Sequence, residues 1–202
     1  MTTKLLSKNL HQWLLLVVCF VSTLPSWAED YTRDGIIYDI NTSTNTATVK
    51  GLEDRSATSA KIRNRVAGCE VTSIEWGAFY NCSALTSINI PSSVTSIGQC
   101  AFQYCRSLTS INIPSSVTSI EGYAFSGCSA LTSINIPSSV ASISSYAFEG
   151  CRALTSINIP SSVTSIGWSA FEGCNALKVV LIQSDRIEFG VAYLDGTLIF
   201  IL

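Results

Sequence analysis

Residues 82–173 consist of one 23-residue unit written four times without a gap: CSALTSINIPSSVTSIGQCAFQY, CRSLTSINIPSSVTSIEGYAFSG, CSALTSINIPSSVASISSYAFEG and CRALTSINIPSSVTSIGWSAFEG. A fixed period of this length is the signature of a solenoid, in which each turn buries its apolar face only against its neighbours. Every position in the unit therefore becomes a column running along the molecule. Within a unit, Leu85, Ile88 and Ile90 and their equivalents follow an LxxIxI pattern, the period-two alternation of a short strand. Pro91, Pro114, Pro137 and Pro160 follow at once. A proline has no N–H to give to a ladder, so the chain must turn there. Val94 and Ile97 supply a second apolar pair for the opposite wall. The recurring Ala-Phe pairs, from Ala101–Phe102 to Ala170–Phe171, place one ring at the same depth in every turn and so predict a phenylalanine spine.

The spacing predicts a right-handed, helix-poor solenoid with parallel strands near 85–90, 108–113, 131–136, 154–159 and 177–182, their like residues about 4.8 Å apart. Inward columns are Leu, Ile, Ile, Val, Ile, Ala, Phe and Cys, while serine and asparagine columns face outward.

The pattern LxxIxIPxSVxxIxxxAFxxC at 23-residue spacing resembles the BspA-type leucine-rich repeat, over about residues 34–182. The resemblance implies a leucine-rich-repeat solenoid and a secreted or surface-displayed protein of the kind found in host-associated bacteria and some mucosal protozoa. The ordinary leucine-rich repeat carries a buried asparagine after its strand. Here Ser93, Ser116, Ser139 and Ser162 stand at that offset, so hydroxyls must satisfy the backbone of the turn.

Flanking segments divide the chain. Residues 1–28 read as a secretory signal: Lys4 and Lys8, an apolar run from Trp13 to Leu24, and Ser26-Trp27-Ala28 as a small-x-small site with cleavage after Ala28. The run is short for a membrane span, so no transmembrane segment is expected after cleavage. Cleavage removes His11, the only histidine, together with both lysines, taking the formal charge from −2 to −4. Residues 29–60 read as an N-terminal β-hairpin cap, with Ile36, Tyr38 and Ile40 alternating out and Ala47 and Val49 alternating back; open solenoid ends need such covers. Residues 61–182 form the solenoid, beginning with a divergent first coil that falls into register at Val71, Ile74, Ala78 and Phe79. Residues 183–202 either form a C-terminal hairpin cap around Asp195–Gly196 or begin a further module of a longer protein, and the apolar ending favours the second.

The chemistry open to such a chain is narrow. A charged fraction of 13% without a basic footprint argues against nucleic acid. Without histidine or CxxC pairs the mature chain offers neither a serine–histidine base nor a zinc site, so no cofactor or metal is expected. Seven cysteines remain after cleavage, and Cys82, Cys105, Cys128, Cys151 and Cys174 share one inward column. Parallel side chains on stacked turns suit buried thiols better than disulfides; Cys69 and Cys100, outside the column, are the expected reactive ones. Glu149 and Glu172 occupy one position on successive turns, a spacing reminiscent of a retaining glycosidase pair, but a solenoid edge excludes no water and Arg152 stands near enough to balance them. An ion-pair cluster is the stronger reading. Lys61, Arg63 and Arg65 alternate ahead of the first repeat; gripping an anionic glycan is one reading, and charges guarding an edge strand against mispairing the favoured one.

The copies differ mainly just before and after their Ala-Phe pair, where Tyr123, Tyr146 and Trp168 fall on neighbouring columns. Aromatics in a row anchor interfaces and sugar platforms. The flat outward face of Asn112, Asn135 and Asn158 is the alternative binding surface. The expected function is adhesion to a host matrix protein, cell-surface protein or glycan, with a passive spacer in a longer surface protein as the alternative and a glycan-active enzyme as a remote one.

Overall fold

The computed structural model describes residues 30–183 and the strand segments Glu188–Phe189 and Leu198–Ile201. The signal segment and the Asp195–Gly196 turn lie outside these residues. Three strands open the described chain: β1 (Asp30–Arg33), β2 (Ile36–Asn41) and β3 (Thr46–Leu52), each antiparallel to the next. The first hairpin turns on Asp34–Gly35, both with positive φ (53° and 74°), the two-residue geometry whose twist matches that of the strands. The second is fixed by Asn41, whose Oδ1 accepts hydrogen bonds from the backbone N–H groups of Ser43 and Thr44 at 3.1 and 3.2 Å. The cap thus gains a strand that the sequence pattern did not show.

Next come β4 (Ser59–Lys61), β5 (Arg65–Val66) and β6 (Cys69–Ile74). Strand β4 already belongs to the solenoid. The repeats then deliver two strands per turn: β7 (Ser87–Asn89) and β8 (Ser96–Ile97), β9 (Ser110–Asn112) and β10 (Ser119–Ile120), β11 (Ser133–Asn135) and β12 (Ser142–Ile143), β13 (Ser156–Ile159) and β14 (Ser165–Ile166), β15 (Val179–Ile182) and β16 (Glu188–Phe189), with β17 (Leu198–Ile201) last. No helix occurs among the described residues.

One wall stacks β4, β7, β9, β11, β13, β15 and β17. Its ladders join β4 to β7, β9 to β11, and β13 through β15 to β17, all parallel; β9–β11 and β13–β15 pair in repeat register, as in Ile111↔Ile134 and Asn112↔Asn135. The second wall runs from the cap, β3 parallel to β6 and β6 to β8, and continues as β10, β12, β14 and β16. The strands are shorter than the LxxIxI pattern suggested because turns trim both ends: at the start the Leu85 N–H donates to the Cys82 carbonyl at 3.1 Å, and at the end the proline stops the ladder. Each proline carbonyl accepts from the valine N–H three residues on, from 3.1 Å at Val94 to 3.0 Å at Val163, so β7, β9, β11 and β13 each run into a turn.

The first coil is 28 residues long on the first wall, since Ser59 aligns with Ser87. The five extra residues are accommodated by the β5–β6 hairpin, turned at Ala67–Gly68. This overturns the reading of Lys61, Arg63 and Arg65 as alternating along one strand. Lys61 ends β4, Arg63 bridges Asp34 in the cap turn, and Arg65 starts β5 and donates to the Gly68 carbonyl.

The core is one continuous column structure. Phe79, Phe102, Phe125, Phe148 and Phe171 stack with ring centroids 5.1, 5.4, 5.5 and 5.6 Å apart and planes within 5° of parallel. Tyr38 of the cap is fully buried against the same core. The serine column behaves as expected: Ser93 and Ser162 each donate to a valine carbonyl one turn earlier, Val71 and Val140, at 2.7 Å. Ser116 and Ser139 do the same to Val94 and Val117. Here a hydroxyl on each turn satisfies a carbonyl of the last, which ties coils together where strand ladders are short.

The third wall needs no strand. Around each Ala-Phe pair the N–H groups of three alternate residues reach the carbonyls of the next coil, as in Cys100 to Gly122 (3.0 Å), Phe102 to Ala124 (2.8 Å) and Tyr104 to Ser126 (2.8 Å). The residue before each Ala-Phe pair and the one before each column cysteine adopt positive φ: Cys100 58°, Tyr123 57°, Tyr146 60°; Tyr104 61°, Gly127 72°, Gly150 66°.

Candidate functional site

Tyr123 and Tyr146 belong to that first left-handed column, and their rings stack at 4.8 Å with planes 7° apart. Both are half-buried; burial, and secondarily the neighbouring Tyr146, raises the Tyr123 phenol above its ordinary pKa. Trp168 lies one column over and is tied to the stack: the Tyr146 N–H donates to the Trp168 carbonyl at 2.9 Å, and the Trp168 N–H to Ser145 Oγ at 3.2 Å. The structure adds a residue that the sequence reading left out of the site. Trp76 occupies the Trp168 column four turns earlier, and the two indoles are 65% and 60% exposed. Between them the column carries Gln99, Gly122 and Ser145. At one strand spacing per turn the tryptophans stand about 19 Å apart along the solenoid. Comparing adjacent copies hides this pair, because it recurs only after four periods.

Asn112, Asn135 and Asn158 are exposed on β9, β11 and β13, with Asn112 directly opposite Asn135. The structure therefore separates the candidates: the asparagines line the first wall, the aromatics the third.

A groove of ≈ 380 Å³ opens near the other end of the third wall. Gly127 and Gly150 form its floor, Tyr104 closes one end, and Arg106, Arg152 and Glu149 stand along its sides. The Tyr104 ring lies over Gly127, where a β-carbon would come within 2.3 Å of it. The Arg106 guanidinium sits 5.6 Å from the centre of that ring. The expected ion pairing of Arg152 with Glu149 and Glu172 does not form. Glu149 instead accepts from Ser126 Oγ at 3.1 Å, and among the described residues no carboxylate lies within 4 Å of Arg106 or Arg152.

All seven cysteines from Cys69 onward are free and buried. In the column the thiols act as donors: Cys105, Cys128, Cys151 and Cys174 reach the carbonyls of Phe79, Phe102, Phe125 and Phe148 at 3.0–3.2 Å. Burial pushes the Cys128 thiol up to about 12. The Cys151 thiol is raised first by its hydrogen bond with Cys174 and then by burial. Cys69 and Cys100, the expected reactive thiols, are only 3% and 8% exposed. Cys69 packs at the β5–β6 hairpin, and burial raises the Cys100 thiol, so neither side chain is open to solvent and Cys100 does not present a ready thiolate.

The description "BspA type Leucine rich repeat region" matches residues 59–194 in six copies. The chain belongs to the BspA-type leucine-rich repeat family. Solved structures agree with this assignment. A leucine-rich repeat protein of T. pallidum is 28% identical with a TM-score of 0.70, covering 76% of this chain and 71% of that one. One from Bacteroides ovatus is 29% identical with a TM-score of 0.66, over 84% and 54%. A leucine rich cell surface protein of Faecalibacterium prausnitzii is 28% identical with a TM-score of 0.51, over 81% and 56%. The BspA-type chain thus spans about half the length of the last two. No match is found among curated proteins. Family and fold support a repeat-based interaction module, and no described helix is long and apolar enough to cross a membrane.

Proposed function

We propose that this BspA-type solenoid is an extracellular or surface-displayed adhesion module, non-enzymatic, that holds a host or neighbouring-cell protein or glycan along its third wall. The observation that carries the reading is the aromatic edge: two indoles more than half exposed in one column, with the stacked Tyr123–Tyr146 pair beside Trp168. Exposing an indole to water costs apolar hydration on a wall that otherwise buries its rings in the spine, and a passive spacer has no use for it. Large rigid rings give contact area at little conformational cost, which is why binding energy concentrates in them. The asparagine face offers only hydrogen bonds that water already makes, netting about 1 kcal/mol per exchange. The secretory signal read in residues 1–28, with cleavage after Ala28, fits this setting, as does the similar F. prausnitzii leucine rich cell surface protein.

An array of matrix proteins and glycans probed with the protein tests the reading. Saturable binding to a defined set, reduced when Trp168 is replaced by alanine, supports it. Binding to nothing, or binding indifferent to Trp168, refutes it.

A further inference from the structure

We propose that the groove floored by Gly127 and Gly150 is a binding site for a carboxylate-bearing sugar, a sialic or uronic acid unit of a glycan. The proposal rests on the reading of the repeat surface as a binding surface but concerns a different place on it from the tryptophan edge.

The groove is a product of column chemistry. Three columns meet at this corner. The middle one holds Asn81, Tyr104, Gly127, Gly150 and Gly173, all with positive φ. Side chains are tolerated there, since Asn81 and Tyr104 adopt the conformation, yet the three turns after Tyr104 omit them, and the first two, Gly127 and Gly150, floor a trough. Its volume of ≈ 380 Å³ lies at the lower end of small-molecule sites, roughly 300–1,000 Å³, and suits one or two sugar rings.

The walls define the ligand. Arg106 and Arg152 lie in one column two turns apart, with Ser129 between them, so their backbones are separated by about 10 Å and both long side chains reach a ligand in the trough. Neither is neutralised by a described carboxylate, in a chain whose overall charge is negative. A guanidinium matches a planar carboxylate with two parallel hydrogen bonds. On the opposite side Glu149, oriented by Ser126, is an acceptor that needs donors. A neutral sugar leaves two guanidiniums unmet. A compact multiply charged anion is repelled by Glu149. A sugar acid carries both halves, one carboxylate for the arginines and hydroxyl donors for Glu149. A peptide strand is disfavoured by the floor, because the N–H groups of Gly127 and Gly150 already donate to the Glu149 and Glu172 carbonyls at 2.6 Å and leave no edge to pair with.

The repeat itself supplies the test variants. Arg106→Ser and Arg152→Ser install the residue that Ser129 already places in that column, and Gly150→Asn installs the residue of Asn81. A β-carbon at Gly150 meets nothing closer than 3.7 Å, so this change fills the trough without altering charge. Calorimetric titration uses the methyl glycosides of sialic acid and glucuronic acid, methyl galactoside as the neutral control, and an acetylated dipeptide acid as the peptide arm. The expected result is saturable binding of at least one acidic glycoside, none of galactoside, and at least a tenfold loss in each of the three variants. Absence of acidic-glycoside binding, retention of affinity in Gly150→Asn, or equal binding of the dipeptide acid overturns the proposal. Array binding that depends on Trp168 survives those outcomes, so failure here is distinguishable from failure of the adhesion reading.

Discussion

Phe125→Ala is the most informative perturbation of the fold. Phe125 is 0% exposed, and its ring stacks on Phe102 at 5.4 Å and on Phe148 at 5.5 Å. Truncating a buried phenylalanine costs about 3–5 kcal/mol through lost transfer energy and the cavity left behind. Each stacked contact is worth roughly 0.5–1.5 kcal/mol beyond area. Phe171 is similarly buried but has one described ring partner, Phe148 at 5.6 Å, so Phe171→Ala should cost about 1 kcal/mol less. Because turns couple only to neighbours, the central cavity also weakens the link between the two halves of the array. Urea unfolding followed by tryptophan fluorescence measures both. With a slope near 2 kcal/mol/M, the midpoint of Phe125→Ala falls by roughly 2 M. A fall below about 0.5 M, or equal falls for the two variants, would show that the spine is not the continuous core described here.

Three further outcomes follow from the same columns. Ser139→Ala removes the donor to the Val117 carbonyl and leaves it unpaired in the interior, so stability should drop by about 1–3 kcal/mol, whereas Ser138→Ala, at an exposed neighbour, should be nearly neutral. The Cys128 thiol keeps its proton in the fold up to about 12, against 9.0 for a free group. The folded state then binds a proton that the unfolded chain has released, so stability is full below pH 9 and declines as pH rises toward 12. A flat denaturation midpoint over that range contradicts it. Thiol titration of the unfolded, non-reduced protein should find at least the five column thiols, and three or fewer would mean that disulfides had formed.

Much of this fold is legible from the chain because one residue position becomes a whole column. The spine, the valine–serine link and the proline-terminated strands all follow from repetition plus the two-residue strand period. What escaped reading lies where the period breaks or where the backbone rather than the side chain decides. The β5–β6 hairpin hides a five-residue insertion, so a boundary drawn between residues 60 and 61 cuts through Ser59–Lys61, the first strand of the solenoid wall. The third wall depends on left-handed residues, and Cys100, Tyr104, Tyr123 and Tyr146 take that conformation without the glycine that usually signals it. Trp76 and Trp168 are tryptophans in one column 92 residues apart, a recurrence that adjacent copies do not display. The groove was illegible for a different reason. Arg106 and Arg152 face the same space only once the Gly127 and Gly150 turns are stacked next to Tyr104.

The central claim is that the aromatic edge, rather than the asparagine wall, carries recognition. The direct measurement is a titration of whichever protein or glycan the array identifies, against Tyr146→Ala/Trp168→Ala on one side and Asn112→Ser/Asn135→Ser on the other. All four positions lie on the surface or half-buried, and circular dichroism should show both variants folded. The account predicts at least a tenfold loss of affinity for the aromatic variant and a much smaller change for the asparagine variant. A large loss for the asparagine variant with the aromatic one unaffected would place the site on the first wall and contradict the account.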